Sequence, residues 1–355
     1  MPPSPTPSGQ TSSKPWISLR RARLSLRVDR RAPLAIAILS AIALLTFLAS
    51  IATGDYPISL PDTIATLFNR PANPDYAFVI GMLRIPRALA ALLVGMGLAV
   101  SGTICQAIAR NPLAAPGIIG INSGASLVAV IFIVVFPAAP ASGLPLAAFL
   151  GSLTVALAIY LLAWDGGSSP VRLILIGISL TSLTGAVTSL LTTFGNIGDV
   201  SRALVWLIGS VYGRSWAQVG ALLPWLAVFL PVSLVLARDL DALNLGDELA
   251  QGLGSRLELK RSVLTLCAVA LAGASVATAG TIGFVGLMAP HLARQLVGPS
   301  HAGLLPVAGL VGACVVGLAD LVGRIAFAPI ELPCGAITAA VGAPYFLWLL
   351  YRNRN

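Results

Sequence analysis

The chain reads as an all-α polytopic membrane protein, with ten transmembrane helices and an inverted internal repeat. Three observations predict this. Of 355 residues, 57% are hydrophobic and only 10% charged, whereas an ordinary soluble domain carries about 25% charged residues. The apolar residues fall in blocks of about twenty, the length a helix needs to cross about 30 Å of hydrocarbon. Finally, Ala90, Leu93, Gly95, Ala99, Gly102, Thr103, Ile104 and Pro112 recur as Ala268, Leu271, Gly273, Ala277, Gly280, Thr281, Ile282 and Pro290, each 178 positions later.

Residues 1–13, rich in Pro, Ser, Thr and Gly, have no apolar period and read as disordered. Lys14, Arg20, Arg21, Arg23, Arg27, Arg30 and Arg31 follow, so that 1–31 is expected to be a disordered basic tail. The first block, 32–53, exceeds the apolar core of about 7–15 residues of a cleaved leader and is read as a retained span. Its positive flank sets the N-terminus in the cytoplasm.

Further spans fall at 88–109, 117–136, 144–163, 172–193, 217–237, 262–282, 284–297, 303–326 and 333–351, which makes 32–355 one ten-helix domain. The span 284–297 is short and contains Pro290, His291 and Arg294. Without it the C-terminus would change sides, yet Arg352 and Arg354 call for the cytoplasm, as does the basic tail. Ten spans satisfy both ends. By that count the first copy of the repeat runs outside to inside and the second inside to outside, a duplication recurrent in transporters. Gly95, Gly97, Gly177, Gly185, Gly280, Gly283 and Gly286 let helices approach closely where packing drives association, which predicts one tight bundle and a gated pathway.

Between the sixth and seventh spans, 238–261 gathers nine charged residues from a chain with 35: Arg238, Asp239, Asp241, Asp247, Glu248, Arg256, Glu258, Lys260 and Arg261. Leu243, Leu245, Leu249, Leu253 and Leu257, with Ala250, give this loop an apolar stripe, and Gly246, Gly252 and Gly254 divide it into short amphipathic pieces. Such a stripe serves either a soluble partner or the lipid headgroups.

Several chemistries are missing. Lys14 and Lys260 are the only lysines and neither follows a glycine, so there is no phosphate-binding loop of the G-x-x-x-x-G-K-[ST] type. No H-E-x-x-H, no G-x-S-x-G and no close carboxylate pair within a span occurs, so the chain offers no catalytic residues and does not read as an enzyme. Asp320 is the main acidic residue in a span, and Arg324 four residues later could neutralise it along one helix face. Cys105, Cys267, Cys314 and Cys334 read as packing residues. His291 and His301 stand ten apart with no third ligand, so neither a metal nor a cofactor is expected. The formal charge of +9 sits mainly beside apolar spans, where it orients the chain and does not signal nucleic acid. Arg84, Arg87, Arg202 and Arg324 fall on the outer side against the trend. They either snorkel to the interface or form a basic rim for an acidic protein or anionic solute.

LRIPRALAALLVGMGLAVSGTICQAIARNPLAAPGIIGINSGA at 83–125, GDELAQGLG at 246–254, AGTIGFVGLMAPHLAR at 279–294 and ELPCGAITAAVGAPYFLWLL at 331–350 resemble the FecCD-type permeases, membrane subunits of type II ABC importers for iron-siderophores, haem and cobalamin. The resemblance covers the chain from the first span onward. It implies the ABC type II importer permease fold and a pathway between two permeases, either two copies of this chain or this chain with a paralogue. One ABC ATPase subunit per permease, two per complex, would lie on the cytoplasmic side, and a periplasmic or lipid-anchored binding protein on the outer side. It further implies ATPase coupling through Leu245, Gly246, Asp247, Glu248, Leu249, Gly252, Leu253 and Gly254, and binding-protein docking through Arg84, Arg87 and Arg324. The cytoplasmic gate would involve Asn111 and Leu113 with Ser168 and Ser169, and the pathway Ser179, Thr181, Ser182 and Ser189. The location implied is the bacterial inner membrane with both termini cytoplasmic. Residues 161–178 look most like ferric-enterobactin-type permeases, which favours a ferric siderophore as cargo, with haem or cobalamin as alternatives. A reading from a different class is a secondary carrier working alone on an ion gradient, suggested by the inverted repeat and Asp320.

Overall fold

The computed structural model describes residues 16–21, 24–54, 56–165, 167, 169–247 and 257–352. All ten expected spans are helical. Eight are long and apolar enough to cross a membrane. The other two are short: α5 (Ile121–Val130), extended by the wide turn Ile131–Val135, and α12 (Val285–Val297). The long ones are α1 (Ala32–Ala52), α4 (Ile85–Ala109) with its preceding turns, α6 (Leu144–Ala163), α7 (Pro170–Phe194), α9 (Trp216–Val235), α11 (Leu257–Ala279), α13 (His301–Ile325) and α14 (Cys334–Arg352). Between the spans lie α2 (Leu60–Leu67), α3 (Pro74–Phe78), α8 (Ile197–Ile208) and α10 (Ala237–Asn244). Ser59 caps α2 and Asn196 caps α8, each through its side chain.

The second span begins well before residue 88. Helix α3 runs through a wide π turn, Val79–Arg84, into α4, giving one segment of 36 residues, Pro74–Ala109. Pro86 has no N–H to donate, and the Ile85 N–H reaches back five residues to the Ile80 carbonyl. Arg84 and Arg87 therefore sit within a helix and not ahead of one.

The basic tail also differs from expectation. Trp16–Arg21 and Leu24–Asp29 pair as an antiparallel hairpin, with Ile17 opposite Val28 and Leu19 opposite Leu26. Apolar and polar residues alternate in both stretches, a strand signal that the density of arginines obscures.

Helix α4 is the axis of the bundle and packs along α13, α11 and α12. The approach is close enough to require glycine. A Cβ on Gly95 would lie 2.1 Å from the Gly312 carbonyl oxygen, and one on Gly102 would lie 1.8 Å from that of Gly286. Ser101 donates to the Ala268 carbonyl at 2.7 Å, fixing the register of α4 against α11. Backbone contact of this kind maximises dispersion between helices, the term that holds them together in lipid.

The repeat is visible as an order of lengths: long, short, long, long in α4 to α7, then again in α11 to α14. Its G-T-I triplet is used differently in the two halves. Gly102, Thr103 and Ile104 lie inside α4, whereas α11 stops at Ala279 and Gly280 takes φ +74°. Helix α7 is the least covered of the long helices: only Leu173, Gly177 and Thr184 are buried.

Candidate functional site: polar clusters at the two ends of the bundle

At one end, loops after α1, α8 and α13 meet the start of α4 around a cavity of ≈ 390 Å³. Four arginines line it, Arg84, Arg87, Arg214 and Arg324, together with Glu331. The family resemblance implied docking through three of these four, Arg84, Arg87 and Arg324, and the structure gives each a partner inside the chain. Arg84 is buried and donates to the Ile51 carbonyl at 2.8 Å, at the C-terminal end of α1 where such carbonyls lack helical partners, and to the Tyr56 carbonyl in the loop beyond. Arg324 is buried as well and donates to the Ser50 carbonyl at 3.0 Å.

Arg87 holds Asp320 through Nη2 at 2.8 Å and Nε at 3.1 Å, and Glu331 through Nη1 at 2.9 Å. The expected pairing of Asp320 with Arg324 along α13 is thus replaced by a pairing across helices. Asp320 faces α4, where a planar guanidinium meets the carboxylate with two donors, the stronger geometry. Arg87 also lies over the Tyr212 ring, 5.4 Å from its centroid.

Arg214, which sequence reasoning passed over, lies in the loop between α8 and α9. It has no ion-pair partner among the described residues, and its Nε is buried without a hydrogen bond. Burial disfavours the charged form and lowers its pKa from the ordinary arginine value. Among the described residues, and counting Asp320, the cluster holds four arginines and two carboxylates. The signal available in the sequence was position alone: Arg214 follows an amphipathic segment too short to span. Arg202 on α8, the remaining arginine expected on the outer side, is exposed and paired with Asp199.

The other end carries the charged loop. Helix α10 buries Leu240 and Leu243, and Asp241 accepts from the His301 N–H at 2.9 Å and from its Nδ1 at 2.6 Å, tying α10 to the start of α13. Beyond it Leu245 is 59% exposed. Gly246 takes φ +108° and directs Asp247 back to Arg110 and Arg261. Of the coupling residues expected here, Glu248, Leu249, Gly252, Leu253 and Gly254 lie outside the described residues. So does Ser168 of the expected gate.

The described gate residues are set in a defined turn. Arg110 ends α4 in the left-handed region at φ 48°, Asn111 N–H returns to the Gln106 carbonyl at 3.1 Å, and the Asn111 side chain accepts from Leu113 N–H at 2.9 Å. Leu113 is exposed. Gln106 accepts from Arg294 of α12 at 3.0 Å, linking the two halves of the repeat beside this turn. Ser169 precedes α7 as its N-cap residue without a side-chain hydrogen bond. On α7, Ser179, Ser182 and Ser189 are exposed, and Thr181 meets Ser123 at 3.3 Å.

A ten-helix bundle duplicated within itself, polar at both ends and joined through its centre by glycine contacts, is the frame of a multi-pass membrane permease. The chain belongs to the FecCD transport family, whose model matches residues 42–352. It is 42% identical over 325 residues to the Fe(3+)-citrate import system permease protein YfmE of Bacillus subtilis (strain 168), covering 91% of this chain and 96% of that protein. It is 42% identical over 338 residues to the achromobactin transport system permease protein CbrC of Dickeya dadantii (strain 3937), covering 95% and 96%. The hemin transport system permease protein HmuU of Yersinia pestis is 40% identical over 297 residues, 82% of this chain and 88% of that one. Among solved structures, a metal-chelate type ABC transporter in an inward-facing conformation superposes with a TM-score of 0.81 at 33% identity, covering 90% of this chain and 99% of its own.

Proposed function

We propose that this chain is the permease subunit of an ABC importer that passes a ferric siderophore from an external binding protein to the cytoplasm, with energy from a separate ATPase. The observation that carries the ATPase reading is the exposed Leu245 beside a charged turn, in a chain whose sequence contains no phosphate-binding loop. An apolar side chain held out on a polar loop fits a groove on a soluble partner. The end bearing residues 238–261 is then cytoplasmic, in the inner membrane of a bacterium, and so are both termini. Two ATPase subunits would serve two permeases, with the sparsely covered α7 facing the second permease and its exposed serines facing the pathway. Asn111 and Leu113, with Ser168 and Ser169, would form the cytoplasmic gate.

The opposite end would receive the acidic surface of the binding protein. The four arginines that line the cavity at that end support this reading. Arg84 and Arg324, held by α1 carbonyls, would contribute field, while Arg214 and the rim side of Arg87 would meet incoming carboxylates. The similarity to YfmE and CbrC supports an iron chelate as cargo, and the similarity to HmuU keeps haem as the second reading.

Purification from native membranes in mild detergent, with mass spectrometry of co-purifying proteins, tests the assembly. An ATPase is expected, with a second permease if the pair is heteromeric. Isolation of the chain alone, with gradient-driven uptake after reconstitution, would replace the importer by a secondary carrier. Uptake of labelled ferric siderophore against labelled hemin in the same vesicles decides the cargo.

A further inference from the structure

At the loop end a single carboxylate joins three segments of the chain. Asp247 Oδ1 accepts from Nη2 of Arg110, the last residue before the Asn111–Leu113 turn, and from Nη2 of Arg261 in α11 at 2.6 Å. Arg261 is 1% exposed and also pairs with Glu258 at 3.3 Å, so it is a fixed post and not a surface charge. Of the two printed carboxylate contacts of this buried guanidinium the one to Asp247 is the shorter, and losing a partner of a buried charge is costly, which holds Asp247 in place.

Arg110 is equally fixed on its own side. Its left-handed backbone and the returning Asn111 N–H close the end of α4. The Asn111 side chain bonds to the Leu113 N–H, and the Ala114 N–H bonds to the Asn111 carbonyl at 3.0 Å, so residues 110–114 form one hydrogen-bonded unit. Asp247 reaches this unit because Gly246 adopts φ +108°, a backbone state that other residues rarely hold.

We infer that Asp247 is a positioning residue that bolts the loop after α10 to the Asn111–Leu113 turn through Arg110, and so carries displacement of that loop to the turn. The resemblance implies a role for Asp247 in contacting the ATPase. The geometry assigns its carboxylate an internal task instead, and leaves the neighbouring exposed Leu245 as the surface that a partner would push. The inference rests on the reading of 238–261 as the coupling loop and of Asn111 and Leu113 as the gate.

The test places the single reactive cysteine of a Leu113→Cys chain at the turn, since Cys105, Cys267, Cys314 and Cys334 are all buried. Labelling by a membrane-impermeant maleimide is followed in the detergent-purified chain, without any ATPase. Asp247→Asn and, from the opposite side, the half-exposed Arg110→Gln are each expected to raise the labelling rate about fivefold, the scale of a modest coupling between sites. Asp247→Glu is expected to return it to the starting rate. In the complete importer, Asp247→Asn should lower uptake about tenfold while the ATPase still co-purifies. Unchanged labelling in both Asp247→Asn and Arg110→Gln overturns the inference. So does loss of the ATPase from the Asp247→Asn complex, which would make Asp247 a direct contact. If the unmodified chain brings down no ATPase, the importer reading fails, and the labelling rates still decide the link between loop and turn.

Discussion

Arg87 and Asp320 stand 233 positions apart and meet through three guanidinium–carboxylate hydrogen bonds, the shortest at 2.8 Å. They join α4 of the first half of the repeat to α13 of the second, at the end where α1 also closes. Glu331 shares the same guanidinium, so one arginine organises two carboxylates from different segments. Truncating one partner of such a buried pair costs about 3 kcal/mol, because the other charge stays desolvated. Asp320→Ala is therefore expected to lower the thermal midpoint of the purified chain in detergent, and Arg87→Ala to do so by more, since it strands two carboxylates. Equal midpoints for Arg87→Ala and the parent would show that the pair is not structural.

The arginines that line the cavity should separate into two classes. Reversing Arg84 or Arg324 to glutamate sets a carboxylate against the carbonyls at the end of α1, and the expected outcome is loss of folded protein. Reversing Arg214 breaks no ion pair among the described residues. It is expected to leave the yield intact and to weaken salt-dependent capture of the binding protein that supports uptake. Size-exclusion profiles followed by binding curves at two salt concentrations check both halves of this expectation.

Gly95 has no room for a methyl group. Gly95→Ala would press a Cβ against the Gly312 carbonyl and force α4 from α13, at a cost of about 1–3 kcal/mol or more. Gly220 on α9 has open space where a Cβ would be placed, and Gly220→Ala should be neutral or slightly stabilising. Thermal unfolding of the two variants side by side, with retention of both midpoints as the contrary result, decides the matter.

Leu245→Asp removes the exposed apolar contact of the loop without entering the core. The expected outcome is normal insertion with loss of the co-purifying ATPase and of uptake. Full uptake by Leu245→Asp would remove this residue from the coupling surface.

Much of the architecture follows from short-range pattern. The span 144–163 coincides with α6, and nine of the ten expected spans agree with helices to within about five residues at either end, in keeping with the uncertainty of helix boundaries read from pattern. The second span was misplaced at its start because its first turns are amphipathic and hold Arg84, which a hydropathy pattern treats as a boundary. The hairpin at 16–29 was hidden for a similar reason: arginine occupies the polar phase of its alternation. The site was legible as residue types and not as partnerships. Arg84 and Arg87 stand out as basic residues in an apolar chain. Whether each faces a carbonyl, a carboxylate or an open cavity depends on segments up to 244 positions away, which no local period encodes.

The G-T-I triplet shows how little an internal match of sequence guarantees about backbone. Gly102 is required because α4 continues past it with the Gly286 carbonyl pressed against the place of a side chain. Gly280 is required because α11 ends there and the chain must turn into α12 with a positive φ. Gly102 serves clearance alone, whereas Gly280 serves direction as well as clearance, since a Cβ there would lie 2.3 Å from the Trp206 carbonyl oxygen. Duplication has thus left two identical triplets under different backbone constraints: exchanging the flanking segments between the halves would put a stop inside the central helix and run a helix through the turn. The molecule is symmetrical in lineage while each half has become a specialist.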